Sequence, residues 1–199
     1  MPLHAKTTSM SVPLRKAWTQ EEFFAWAQQQ AGRYEFDGFE PVAMTGGTRS
    51  HGIISRNLLI QLTAKLAGSP CEPTGSDGAG VATINKHVRY PEAVVSCNPS
   101  ETDPHRVQDP VVVFEVLSPS TRYTDQIEKL REYEAVSTIK KYILIEQTEI
   151  AIAVHSRHPS GGWTIPADIK RAGETLIIPE IGIELDINPL YEGVKFRET

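Results

Sequence analysis

Apolar residues recur along this chain in two rhythms, and the rhythms divide it into helices and strands. Ile53, Ile54, Leu58, Leu62 and Leu66 return at helical spacing, which predicts a helix over 50–66 that Gly68 stops. Upstream, Thr19 and Glu22 frame TQEE, a capping-box pattern ahead of FFAWA, so a helix is expected over 19–30. Between the two, RYEFDGFEPVAM holds Asp37-Gly38, a two-residue hairpin signal between short apolar strands. The middle of the chain switches to short β-branched runs at 70–73, 81–84, 91–97 and 110–117, each bounded by Gly, Pro, Asn or Asp. A third helix over 122–136 is polar on most faces, with Ile127, Leu130 and either Tyr133 or Tyr123 expected to turn inward. Runs at 141–146 and 150–155 predict a hairpin, HPSGGW a turn, and short strands near 176–178 and 183–185 close the chain. This order of elements predicts a mixed α/β fold (an α+β mixed sheet) rather than a regular doubly wound sheet. The first 17 residues, polar and aperiodic, read as a flexible leader before one domain over 18–199.

Composition narrows the function classes without choosing among them. A chain of 199 residues, 40% hydrophobic and 23% charged, suits one globular domain with a sizeable core. Its 25 acidic against 20 basic residues, a net charge of −5, exclude an indiscriminate polyanion binder held by bulk charge. They do not exclude a nucleic-acid enzyme, because carboxylates that hold metal ions count in the same sum. No run approaches the ~18 apolar residues of a membrane span, and the N-terminal stretch has no apolar signal region. Cys71 and Cys97 are too few for a disulfide framework and lack zinc-site spacing, so they are expected as small buried thiols in a reducing cytoplasm.

Charge in the wrong place is the informative signal. Glu115 sits inside VVVFEVL, a strand that otherwise looks buried on both faces. There a carboxylate is either an ion-pair partner or a functional group, since an unpaired one is costly. Glu92 stands just ahead of another apolar run, in RYPEAVVSC, read as one strand. If the two runs form an antiparallel hairpin with Cys97 opposite Pro110, Glu92 falls opposite Glu115, and two facing carboxylates call for a divalent cation between them. Asp125, Lys129 and Tyr133 follow at i, i+4 and i+8 on one face of the third helix. By spacing alone Asp125 and Lys129 read as an exposed pair. Their helix, however, leaves the end of the Glu115 strand, where a lysine can stabilise phosphate charge.

The segments RYEFDGF, SHGIISRNL, RYPEAVV, VVVFEVLSPSTR, DQIEKLREY and KYILIE, in that order, resemble the Uma-two family of the PD-(D/E)XK, restriction-endonuclease-like superfamily. The similarity runs from about Trp18 to Leu190, and EVLSPST followed by D-x-x-x-K is its most specific part. The resemblance implies a restriction-endonuclease-like core, a central mixed sheet flanked by helices. It also implies hydrolysis of nucleic-acid phosphodiesters, with DNA the expected substrate, Mg²⁺ or Mn²⁺ as cofactor, and a homodimer able to address two strands. Carried onto this chain, Glu92 and Glu115 match the metal-binding acids, and Lys129 replaces the superfamily lysine whose place Leu117 occupies. Glu35 matches an acid of the N-terminal hairpin, expected as a further metal ligand, and His51 a helix-start histidine; Asp125 and Tyr133 are supporting residues. The family's usual aspartate is Glu92 here, one methylene longer. That change keeps a second reading open: a catalytically silent module that binds nucleic acid or protein.

Overall fold

A computed structural model describes residues 16–83, 86–99 and 102–196. Most of the expected leader therefore lies outside the described residues. Thr19 caps α1 (Gln20–Ala27): its side chain accepts from the Glu22 N–H while the Glu22 carboxylate accepts from the Thr19 N–H at 2.8 Å. Strands β1 (Tyr34–Phe36) and β2 (Pro41–Ala43) form the first hairpin, pairing Phe36 with Pro41. Its loop thus has four residues instead of two. Asp37 Oδ1 accepts from the N–H groups of Phe39 and Glu40, both at 2.8 Å, and Gly38 takes the left-handed φ of 85° that the turn requires.

Thr48 then caps α2 (Arg49–Leu66), which buries Ile54, Leu58, Leu62 and Leu66, the stripe the sequence predicts. The strand-rich middle comprises β3 (Glu72–Gly75), β4 (Val81–Ala82), β5 (Val88–Arg89), β6 (Ala93–Ser96) and β7 (Pro110–Val116). RYPEAVVSC is not one strand. Pro91 has no N–H to donate, the Tyr90 N–H goes to Glu35, and the chain leaves one sheet for another. Strand β5 joins a four-stranded sheet in the order β2-β1-β5-β4, whereas β6 enters the main sheet.

After β7 a helix runs over 122–134, with a π-turn at Thr124–Glu128 before its α-helical end, α3 (Lys129–Glu134). The remaining elements are β8 (Lys141–Ile145), β9 (Ala151–Ser156), β10 (Asp168–Arg171), β11 (Thr175–Ile178), β12 (Ile183–Asp186) and the short α4 (Ile187–Leu190). Strand β10 is a mostly exposed edge whose polar DIKR gives no apolar signal, so it escapes a reading based on periodicity. The main sheet has six strands in the order β10-β9-β8-β7-β6-β3; β7 and β8 are parallel and the other pairs antiparallel.

The central strand separates two cores. Val112, Phe114 and Val116 pack with α2, β11, β12 and α4, while Val113 and Leu117 pack with Tyr133, Tyr142 and Trp163 beneath the third helix. A smaller aromatic core joins α1 to β1 and β5 through Phe23, Phe24, Phe36 and Val88. The fold is the expected mixed α/β architecture, a central mixed sheet flanked by helices. Among the described residues no helix is long and apolar enough to cross a membrane.

One expectation is overturned outright. Cys71 and Cys97 are bonded to each other as a disulfide. Since Glu72 pairs with Ser96, the next residues outward, Cys71 and Cys97, fall opposite one another.

Candidate active site

Register builds the floor of the site. β6 and β7 pair Ala93 with Phe114, Val94 with Val113 and Val95 with Val112, and continuing that ladder by one step sets Glu92 against Glu115. Only the far end departs from expectation: a bulge lets Ser96, not Cys97, face Pro110. Glu92 lies just ahead of β6, and its Oε2 accepts from the Val116 N–H at 2.8 Å. Its Oε1 lies 3.1 Å from His51 Nε2, at the start of α2. Gly47, just ahead of that helix, is crowded by the same ring; a Cβ there would meet His51 Nδ1 at 2.7 Å.

The third helix supplies the opposing wall. The π-turn closes with the Lys129 N–H on the Thr124 carbonyl, one residue wider than an α-turn, and Tyr142 Oη donates to the Asp125 carbonyl at 2.8 Å. This wider turn brings the polar face inward. Asp125, Lys129 and Tyr133 are 2%, 6% and 0% exposed, whereas Ile127 and Tyr123, read from sequence as inward candidates, are 38% and 69% exposed.

Lys129 does not point into solvent. Its Nζ donates to Glu115 Oε1 at 2.8 Å and lies 3.1 Å from Asp125 Oδ1 and 3.3 Å from Glu35 Oε1. Tyr133 Oη donates to the same Glu115 oxygen at 3.3 Å, so Oε2 is the Glu115 oxygen that neither Lys129 nor Tyr133 holds. Burial pushes the Lys129 pKa down, but the negative charges of Glu115, Glu35 and Asp125 hold it well above the ordinary lysine value. Glu115 moves the other way for a carboxylate. Burial raises it well above its usual range, Glu92 and Asp125 raise it further, and Lys129 only partly opposes them.

Glu35 arrives from the other sheet. Its burial opposes ionisation, yet Lys129 and Arg89 hold its carboxyl below the usual range. Arg89 donates to Glu35 Oε2 at 2.9 Å and grips Glu132 with two bonds of 2.7 and 2.6 Å, while His87 Nδ1 lies 2.6 Å from Glu132 Oε1. Arg89 and Glu132, both buried, were not singled out from sequence. The available signals were a basic residue beside the apolar Val88 and the extension of the inward helix face from Asp125 and Lys129 to Glu132. Gln147 was missed as well. It donates to the Leu117 carbonyl at 2.7 Å and receives the Thr48 hydroxyl, locking the α2 cap to the end of β7.

All of the anticipated acids, with His51 and Lys129, line one cavity of about 430 Å³; Tyr133 lies behind it, beneath Glu115. No group of three or more His, Cys, Asp or Glu side chains placed to hold a metal ion occurs among the described residues. The Glu92 and Glu115 carboxyls are near enough for Glu92 to raise the Glu115 pKa, so the pair shares a proton or would take a cation between them. Hard oxygen ligands of that kind suit Mg²⁺ or Mn²⁺, which keep several waters.

Comparison with known proteins agrees with this architecture. A family model named Uma2 and described as "Putative restriction endonuclease" matches residues 20–188. "Uncharacterized protein slr1290" of Synechocystis is 29% identical over 189 residues, covering 94% of this chain and 98% of that protein. "Uncharacterized protein sll1609" of the same organism is 26% identical over 141 residues, covering 69% and 80%. A crystal structure titled as a putative nuclease belonging to DUF820, from Anabaena variabilis, superposes with a TM-score of 0.68 at 13% identity, covering 88% of this chain and 98% of the other. At that identity the likeness establishes shared fold alone.

Proposed function

The chain belongs to the Uma2 family, described as "Putative restriction endonuclease", and from that membership and the site geometry we propose a divalent-metal-dependent endonuclease that hydrolyses nucleic-acid phosphodiesters, with DNA the expected polymer. The observation that carries this reading is the meeting of Glu35, Glu92, Glu115 and Lys129 on one cavity, with the lysine buried among carboxylates. Glu92 and Glu115 would hold Mg²⁺ or Mn²⁺. When bound, such an ion polarises a scissile phosphate and lowers the pKa of an attacking water. Lys129 keeps its proton and serves as a fixed cation for charge that develops on the phosphate. Glu35 engages Arg89, the Tyr90 N–H and Lys129 with its two oxygens, so it positions Lys129 and would serve the ion as a direct or water-mediated ligand. Asp125 and Tyr133 fix the lysine and Glu115 from the helix, and His51 fixes Glu92. A homodimer is the assembly that would address both strands of a duplex, and sedimentation tests it.

Glu92 itself favours a second reading. One added methylene where the family carries aspartate shifts a metal ligand, which suits a binding module that no longer cuts. Cleavage of plasmid and single-stranded DNA with Mg²⁺ or Mn²⁺ separates the two. The enzyme reading expects wild-type cleavage that drops roughly 100-fold or more in Glu115→Gln, which removes a ligand charge while keeping the side-chain size. If wild type binds Mn²⁺ and cuts nothing, and Glu92→Asp does not restore cutting, the binding module stands instead.

A further inference from the structure

A second cavity of about 200 Å³ adjoins the first, and Met44 and Tyr90 line both. Tyr90 donates its backbone N–H to Glu35 Oε1 at 3.3 Å, so the residue that walls the second cavity is tied to the carboxylate cluster of the first. The second cavity differs in chemistry. Phe24, Tyr34, Tyr90 and His105 give it rings, with Phe24 and His105 stacked at 5.6 Å between centroids. Gln28 adds an amide, its Nε2 lying 2.9 Å from His105 Nε2. The charged residues on its lining, Arg33 and Asp77, are paired with each other at 2.9 Å, and Arg33 also donates to the Ser76 carbonyl. What is left is a ring-lined recess with polar edges and no uncompensated charge.

We propose that this recess receives an unpaired nucleobase from the nucleotide next to the phosphate held among Glu92, Glu115 and Lys129. The inference rests on the nuclease reading and deepens it, because it names the substrate as single-stranded or locally unpaired nucleic acid. A phosphate would find there only Arg33, already paired with Asp77, whereas a base finds ring faces to stack on and an amide and imidazole at its edge. A base inside an intact duplex is stacked and paired, and cannot enter a side recess without leaving the helix.

The test reads binding apart from cutting. A single-stranded oligonucleotide with one 2-aminopurine and non-hydrolysable linkages is titrated into the protein with Mn²⁺, so that the phosphate is held without being cut. Wild type is expected to quench the 2-aminopurine and to bind an oligonucleotide abasic at that position roughly 10-fold more weakly. His105→Ala removes a ring and is expected to lose the quenching and a similar factor in affinity at unchanged melting temperature. Equal affinity for the base-bearing and abasic oligonucleotides, or no quenching by wild type, would overturn the recess. The abasic comparison uses wild type alone, so a variant that folds poorly does not decide the matter. Quenching without metal-dependent cleavage of any substrate would support the recess and sink the nuclease reading; cleavage without quenching would do the reverse.

Discussion

Burying an ammonium costs several kcal/mol unless nearby charges compensate, and Lys129 has three carboxylates within 3.3 Å doing so. An i,i+4 pair with Asp125 on a solvated helix could be cut to methionine with little effect on folding. In its actual setting Lys129→Met leaves Glu35, Glu115 and Asp125 without their common cation. The expected loss is about 3–5 kcal/mol, read as a fall in urea midpoint at constant slope. A change under about 1 kcal/mol would mean that the lysine is solvated and does not sit among the acids. Glu115 was legible in the sequence because a carboxylate within VVVFEVL violates its surroundings. Glu92 was legible because strand register is arithmetic. Arg89 was not, since reading RYPEAVVSC as a single strand kept it in the wrong sheet, away from both Glu35 and Glu132.

At the scale of elements, the third helix shows why periodicity alone misassigned its faces. An α-helical count treats Ile127 as an apolar residue seeking the core, but the π-turn at Thr124–Glu128 widens the spiral and carries it outward. What the helix buries there instead is Asp125, Lys129, Glu132 and Tyr133, three of them charged. The acids on β1 and β7, the arginine on β5 and His87 just ahead of it make that burial favourable, and those partners lie in other elements. Local pattern therefore could not see it. Ile127→Gln tests the element directly. A residue 38% exposed should tolerate the change within about 0.5 kcal/mol, whereas a core isoleucine would lose several. Thermal melting of the variant distinguishes the two.

Across the whole molecule, the sheet order that sets Glu92 against Glu115 also sets Cys71 against Cys97 at the other end of β6. The cysteine count was visible in the sequence, yet the pairing was not, because it depends on β3 returning beside β6 after the α2 helix. A bond closing 26 residues of separation restricts the unfolded chain, and loop entropy puts the stabilisation at about 3.5 kcal/mol. Thiol titration in denaturant without reductant should find no free thiol, and prior reduction should release both. Reduction, or Cys71→Ser combined with Cys97→Ser, should lower the unfolding midpoint by an amount equivalent to about 2–4 kcal/mol. Since the bond lies at the opposite end of β6 from Glu92, Mn²⁺ binding well below the melting temperature should survive reduction. Two free thiols in the folded protein, with melting indifferent to reductant, would show that the sheet holds β3 in place without the bond.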